Sequence, residues 1–145
     1  MHDNNPNVAA LNMVYQNSKM AIDSIDCLIP KIKNINLKKD LASQMLGYHN
    51  LVKNSSSQLY DINHYPEDVN IFNKIPAAAS LYIKSAVDCS ESHIAEMMIE
   101  NSTASLIEAQ RVFNRCKNLD SEISQIAGET VYFEQKNINK LRNYL

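Results

Sequence analysis

Residues 11–32 read LNMVYQNSKMAIDSIDCLIPKI, and this stretch carries the pattern that decides the fold. Small and apolar residues recur in it at spacings of three, four and seven, which is typical of a helix that packs one face against other helices. The residues of this stripe are Leu11, Val14, Ser18, Ala21, Ile25, Leu28 and Ile32. Asn5 and Pro6 supply an N-cap and a first-turn proline upstream, and Pro30 should kink the last turn or end the helix.

Three further helices follow from the same pattern. Asn36 is placed to cap the second helix, and Asp88 with Glu91 matches a capping box at the start of the third, while a short turn around Asn118-Asp120 precedes the fourth. The predicted helices cover about residues 6–34, 36–60, 89–117 and 120–145. The later stripes are Leu37, Leu41, Met45, Tyr48, Val52, Ser55 and Leu59; Ile94, Met98, Leu106, Ala109 and Val112; and Ile123, Ala127, Thr130, Glu134, Ile138, Leu141 and Leu145.

The connections between these helices are short, long and short. The long one opens with residues 61–74, DINHYPEDVNIFNK, which have no helical period, and continues with residues 75–87, IPAAASLYIKSAV, which we predict to be a short extra helix. Short connections make antiparallel neighbours, and two antiparallel hairpins joined by one long crossover form the ferritin-like arrangement. The sequence therefore predicts an all-α, ferritin-like four-helix bundle.

Composition limits the class of protein. Two glycines and four prolines among 145 residues favour long helices over turn-rich β structure, and this length suits a single domain over residues 1–145. A formal net charge of −2 provides no basic surface for nucleic acid. No apolar run approaches the roughly 18 residues that cross a bilayer. We therefore expect neither nucleic acid nor a membrane as a partner.

The N-terminus and the cysteines bear on the compartment. The opening MHDNNPNVAAL lacks the basic and apolar regions of a secretory signal. Cys27, Cys89 and Cys116 are odd in number and widely spaced, which favours free thiols in a reducing environment. We therefore expect a cytoplasmic protein.

A row of three side chains is a candidate metal site. His93, Glu96 and Glu100 lie three to four residues apart on the third predicted helix, opposite its apolar stripe. The row is a candidate surface site for Zn²⁺ or Ni²⁺, although we favour a solvated helix face.

A ferritin-like di-iron site needs two Glu-x-x-His pairs, and the chain contains none. We therefore expect no di-iron centre, no ferroxidase activity and no cofactor.

Polar residues on the apolar stripes are the other candidates for a site. Glu134 is an acid on the fourth stripe, Tyr48 lies at the middle of the second, and Ser102 or Ser105 lies at a similar level of the third helix. Ser18 and Thr130 add two hydroxyls. Because buried polar groups need partners, these side chains predict either a small ligand pocket centred on Tyr48, Ser102 and Glu134 or a hydrogen-bonded set that fixes helix register. We favour the second interpretation.

The final third of the chain resembles an uncharacterised family of small bacterial ferritin-like bundles. That family has a Met-Ile followed by a His-His pair, and Met98-Ile99 is present here, but Asn101-Ser102 stands at the position of the histidine pair. The closing pattern of the family is also present, in Glu134, Gln135, Ile138, Leu141, Arg142, Tyr144 and Leu145. Other uncharacterised ferritin-like proteins look similar across the whole chain. The resemblance implies the fold, and without the histidine pair it implies no metal handling.

Two hypotheses of function remain from the sequence. The first is a non-catalytic interaction or structural protein that forms a homodimer, because Leu81, Tyr82 and Ile83 give the crossover helix more apolar surface than a short helix normally exposes. The second is a small-molecule or metal-binding bundle with a polar centre around Tyr48 and Glu134. An inward Glu134 beside a cavity would favour the second hypothesis, and a filled core would favour the first.

Overall fold

The computed structural model describes residues 5–68 and 88–145, and this part of the chain forms four long helices. They are α1 (Pro6–Leu28), α2 (Ile35–Asp61), α3 (Glu91–Arg115) and α4 (Ser121–Leu141). Short 3₁₀ turns follow α1 at Ile29–Lys31 and α4 at Arg142–Tyr144. The prediction of an all-α four-helix bundle is confirmed. The extra helix predicted over residues 75–87, with Leu81, Tyr82 and Ile83, lies outside the described residues.

The first helix begins as predicted and ends earlier. The Asn5 side chain accepts a hydrogen bond of 3.0 Å from the Asn7 backbone N–H, and Pro6 occupies the first helical position. The α-helix ends at Leu28 rather than near residue 34, and the chain continues as a 3₁₀ turn containing Pro30. Pro30 has no N–H to continue the ladder of helical hydrogen bonds, which explains the early end.

The caps of the second and third helices differ from the prediction. Asn34, not Asn36, caps α2, because its Oδ1 accepts hydrogen bonds from the backbone N–H groups of Asn36 and Leu37 at 2.8 and 3.0 Å. The cap of α3 is Ser90, whose Oγ accepts from His93 N–H. Asp88 instead accepts from the Ser90 N–H and forms a turn before the cap. In both cases several neighbouring polar residues could cap the helix, and the sequence pattern did not distinguish among them.

Contacts between helix ends give the directions of the four helices. Asn34 Nδ2, at the start of α2, donates a hydrogen bond of 2.8 Å to Glu91 Oε2 at the start of α3. Asn7 Oδ1, near the start of α1, accepts from the Asp120 N–H just before α4 at 3.1 Å. Hence α2 runs parallel to α3 and α1 parallel to α4, while each hairpin is antiparallel. The connection after α2 returns along α1, where the Glu67 N–H donates to Asn12 Oδ1 at 2.9 Å.

The core follows the predicted stripes closely at the centre of each helix. Every residue of the predicted α1 stripe is buried, and α1 packs mainly on α2 as α3 does on α4. On α2 the buried face includes Gln44 and Leu51, while Met45 and Val52 are only partly buried. Leu145 is exposed, because the last residues leave the α-helix in a 3₁₀ turn and the fourth stripe ends at Leu141. No helix among the described residues has the length and apolar character to cross a membrane.

Candidate functional site

Four buried polar side chains from three helices meet in the middle of the bundle, and we call them the polar centre. They are Tyr48 of α2, Ser102 of α3, and Glu134 and Asn137 of α4. Each lies on the inward face of its helix because it is spaced three or four residues from buried apolar residues of that helix. The three residues that the sequence predicted as a ligand site, Tyr48, Ser102 and Glu134, are therefore brought together. Whether they bind a ligand stays a prediction.

The phenol oxygen of Tyr48 joins the members of the polar centre. It donates a hydrogen bond of 2.8 Å to Glu134 Oε2, and it lies 3.4 Å from Ser102 Oγ. Asn137 Nδ2 donates to the same oxygen at 3.4 Å. Side chains of α2, α3 and α4 are thus linked through a single hydroxyl group.

Burial determines the protonation of both ionisable groups in the polar centre. Removal from water raises the pKa of Glu134 to about 7, although hydrogen bonds from Tyr48, Ser102 and Asn137 each lower it. The pKa of Tyr48 is also raised, first by burial and then by the neighbouring charge of Glu134. The tyrosine therefore stays protonated and donates its hydrogen bond, while the glutamate titrates near neutral pH.

An aromatic contact holds Tyr48 in place. The Phe133 ring, on α4, meets the Tyr48 ring edge to face with centroids 4.9 Å apart. The same Phe133 ring lies over Gly47, where an added Cβ would come within 2.3 Å of it. A glycine at residue 47 thus allows α4 to approach α2 closely beside the polar centre.

Asn137 is a member of the polar centre that the sequence analysis missed. The predicted stripe of α4 continued from Glu134 to Ile138 at a spacing of four, whereas Asn137 follows at a spacing of three and is fully buried. Both spacings place a residue on the same helix face. One feature of the sequence could have identified it. Asn137 follows Glu134 by about one helical turn, and its amide can there donate a hydrogen bond to a partner of that acid.

The other polar residues of the stripes lie outside the polar centre. Thr130 Oγ1 donates to the Ile126 carbonyl of its own helix, and Ser18 is buried on α1. Of the two serines left open by the sequence, Ser102 contacts Tyr48, whereas Ser105 is only partly buried and lines a cleft. These residues do not enlarge the polar centre.

The metal candidates lie on the outside of α3. His93 Nδ1 is 3.5 Å from Glu96 Oε2, and the side chain of Glu96 is exposed, as is Glu100. Across residues 5–68 and 88–145, no three His, Cys, Asp or Glu side chains come together in a way that could hold a metal ion. Glu96 and Glu100 are thus exposed and His93 is partly buried beside them, and metal binding by this row stays a prediction.

Two clefts open on either side of the polar centre. One lies between α1 and α3, has a volume of about 180 Å³, and reaches Tyr48 past Met20, Ala21 and Ser105. The other lies between α2 and α4, has a volume of about 250 Å³, and includes Asn137 in its wall. Tyr48 and Asn137 thus connect the buried centre to the two clefts, while Glu134 lies in the wall of neither.

Comparisons of this chain with protein-family models, with curated proteins and with solved structures find no match. The four-helix bundle is observed directly, whereas the relationship to ferritin-like families stays a prediction from the resemblance. Function is therefore argued from the geometry of the polar centre and its surroundings.

Proposed function

We propose that this chain is a non-catalytic structural or interaction protein of ferritin-like architecture, in which the polar centre fixes how the helices pack. The observation that supports this most strongly is the buried hydrogen bond between Tyr48 and Glu134. Glu134 Oε2 accepts a hydrogen bond of 2.8 Å from the Tyr48 hydroxyl, which Ser102 and Asn137 contact in turn, and only 2% of Glu134 is exposed. An acid held in this way is available neither to solvent nor to a substrate.

The polar centre favours one register of the helices because its side chains serve as hydrogen-bond partners for one another. Sliding α4 by one residue along α2 would separate Tyr48 from Glu134 and leave both groups buried without partners, which costs about 1–3 kcal/mol for each group. A polar set of this kind can therefore select one register among several that an apolar interface would allow.

A double-mutant cycle tests this proposal. Tyr48→Phe and Glu134→Ala each remove one side of the 2.8 Å hydrogen bond. We expect a coupling free energy of about 1–3 kcal/mol when urea unfolding of both single variants and the double variant is compared. A coupling near zero would mean that the two side chains do not act together, and the proposal would fail.

Self-association is the second part of the proposal. Leu46 on α2 is 67% exposed and Tyr132 on α4 is 74% exposed. Each is the sequence neighbour of one member of the packed pair Gly47 and Phe133, so both lie on the outer side of the α2–α4 contact. Contiguous exposed apolar patches are characteristic of interaction surfaces. We propose that a second copy of the chain covers this surface, giving a homodimer.

Light scattering at tens of micromolar protein tests the dimer. We expect twice the 16.4 kDa mass of one chain, and a shift to the monomer in the Leu46→Glu variant. Tyr65→Asp is the matched control, because Tyr65 is more exposed than Leu46, at 80%, but lies on the connection after α2. A wild-type mass of one chain would refute self-association. The cytoplasmic location is likewise proposed, supported by Cys27, Cys89 and Cys116, which form no disulfide with one another.

Small-molecule binding is the second candidate function, and the cleft between α1 and α3 supports it. A ligand there would touch Tyr48 and so reach the polar centre. Native mass spectrometry of the purified protein distinguishes the candidates. A stoichiometric adduct that is lost in Ala104→Leu, which narrows this cleft, would favour binding, whereas the bare mass of the chain would favour the structural function.

A further inference from the structure

The cleft between α2 and α4 is lined by several side chains, of which only Asn137 belongs to the polar centre. Asp40 and Gln44 contribute from α2, and Phe133, Lys136, Asn137 and Lys140 contribute from α4. Its volume of about 250 Å³ lies just below the range of roughly 300–1,000 Å³ that is usual for drug-sized ligands. The space therefore suits a molecule of a few carbon atoms.

Gln44 is the unusual residue of this cleft. It is only 5% exposed, yet neither its amide nitrogen nor its amide oxygen has a hydrogen-bond partner. Among the described residues it is the one side chain with buried polar atoms in this condition. Because unsatisfied buried polar groups are costly and uncommon in folded proteins, Gln44 is expected to find its partner in the cleft that it lines. That partner must accept one hydrogen bond and donate another.

The charges around the cleft favour an anion. Asp40 already accepts a hydrogen bond from the Tyr144 hydroxyl and lies 3.9 Å from Lys140 Nζ. Lys136 is exposed and has no ion-pair or hydrogen-bond partner within the described part of the chain. With two lysines and one aspartate, the cleft carries one surplus positive charge, and Lys136 is the group that provides it.

We propose that this α2–α4 cleft binds a small hydroxy carboxylate. Lys136 pairs with the carboxylate, and the Gln44 amide turns to donate to the carboxylate and to accept from the hydroxyl. The Phe133 ring covers the carbon chain of the ligand. The site is separate from the function proposed above, because it requires neither Glu134 nor self-association.

Nuclear magnetic resonance of the ¹⁵N-labelled protein tests the site with three matched probes. L-Lactate carries both a carboxylate and a hydroxyl, propionate lacks the hydroxyl, and propane-1,2-diol lacks the carboxylate. We expect lactate to shift the Gln44 side-chain amide resonances in a saturable way, with the other two probes at least about tenfold weaker. Equal shifts for all three probes, or no saturable lactate shift up to about 50 mM, would overturn the proposal.

Variants of the cleft separate a specific site from general effects. Gln44→Met keeps the approximate size of the side chain without its amide, and Lys136→Gln removes the charge at an exposed position where folding is not at stake. Each should weaken lactate binding at least about tenfold, measured through the backbone amide resonances of the residues that line the cleft. Lys53→Gln, on an exposed part of α2 away from the cleft, is the control and should bind as wild type does. Unchanged binding in Gln44→Met or Lys136→Gln would contradict the assignment.

Discussion

At the scale of single residues, Glu134 links protonation to the stability of the fold. Its pKa in the folded protein is about 7, above the value of 4.5 for an unperturbed glutamate. The folded state therefore binds a proton more tightly than the unfolded state does. By linkage, the tighter binding of this proton stabilises the folded state. The stabilisation is fully present below pH 4.5 and is lost as the pH rises through about 7.

Glu134→Gln should remove this pH dependence. Glutamine keeps the shape of the protonated acid and cannot ionise. As the pH rises from 5 to 8, wild type should therefore lose about 2–3 kcal/mol of unfolding free energy that the variant keeps. Urea unfolding at both pH values measures the effect. A Glu134→Gln variant whose difference from wild type is the same at pH 5 and at pH 8 would contradict this linkage.

Glu134→Ala should behave differently from the glutamine variant. It leaves a void and deprives Tyr48 of the acceptor that lies 2.8 Å from its hydroxyl, so we expect a loss of about 1–4 kcal/mol. Thermal or urea unfolding measures it. An alanine variant as stable as wild type would mean that Glu134 faces water in solution.

Part of the site could be predicted from sequence at this scale, and part could not. Tyr48, Ser102 and Glu134 lie at the centre of clear helical stripes, and their polarity marks them there. Asn137 and Gln44 occupy positions where either of two adjacent residues could face inward, since the buried position can follow at a spacing of three or four. That choice depends on how the helices rotate as they pack, which a single stripe does not determine.

At the scale of helices, the caps give the sharpest test. Asn34→Ala removes a side chain that accepts from two backbone N–H groups and donates to Glu91. We expect a loss of about 1–2 kcal/mol of unfolding free energy. Asn36→Ala is the matched control, because Asn36 is exposed within the first turn of α2. Equal losses in the two variants, measured by urea unfolding, would contradict the assignment of Asn34 as the cap.

Replacing each of the two glycines of the chain by alanine should change the stability of the fold in opposite directions. At Gly47 an added Cβ would lie 2.3 Å from the Phe133 ring, so the ring must move away from Tyr48, and we expect a net loss of about 1–3 kcal/mol. At Gly128 the nearest atom is 3.6 Å away, which is ordinary contact. There alanine should stabilise the helix by about 0.5–1 kcal/mol. Thermal unfolding of both variants checks the pair, and a stabilised Gly47→Ala would contradict the close packing of Phe133.

The helices themselves were predictable because their apolar period persists over more than twenty residues. Their ends were less so, since Asn34 and Asn36 are chemically equivalent as caps and only the path of the preceding chain selects one. Pro30 shows the same limit. Its presence predicted a kink or an end, and the structure shows that the α-helix ends before it.

At the scale of the whole molecule, connection lengths were sufficient to predict two antiparallel hairpins and a long crossover. The contacts of Asn34 with Glu91 and of Asn7 with Asp120 place the starts of α2 and α3 together, and those of α1 and α4. These directions bring Tyr48 of α2 and Glu134 of the antiparallel α4 to one level of the bundle. The polar centre is therefore a consequence of the topology as much as of the residues in it.

The central claim is that Glu134 is buried and held by Tyr48, and the titration of its carboxyl carbon by ¹³C nuclear magnetic resonance tests this most directly. We predict an apparent pKa of about 7 for wild type. The value should rise further in Tyr48→Phe, because the tyrosine hydrogen bond lowers it. A wild-type value near 4.5, unchanged in Tyr48→Phe, would show that the carboxylate lies in water and would contradict the account.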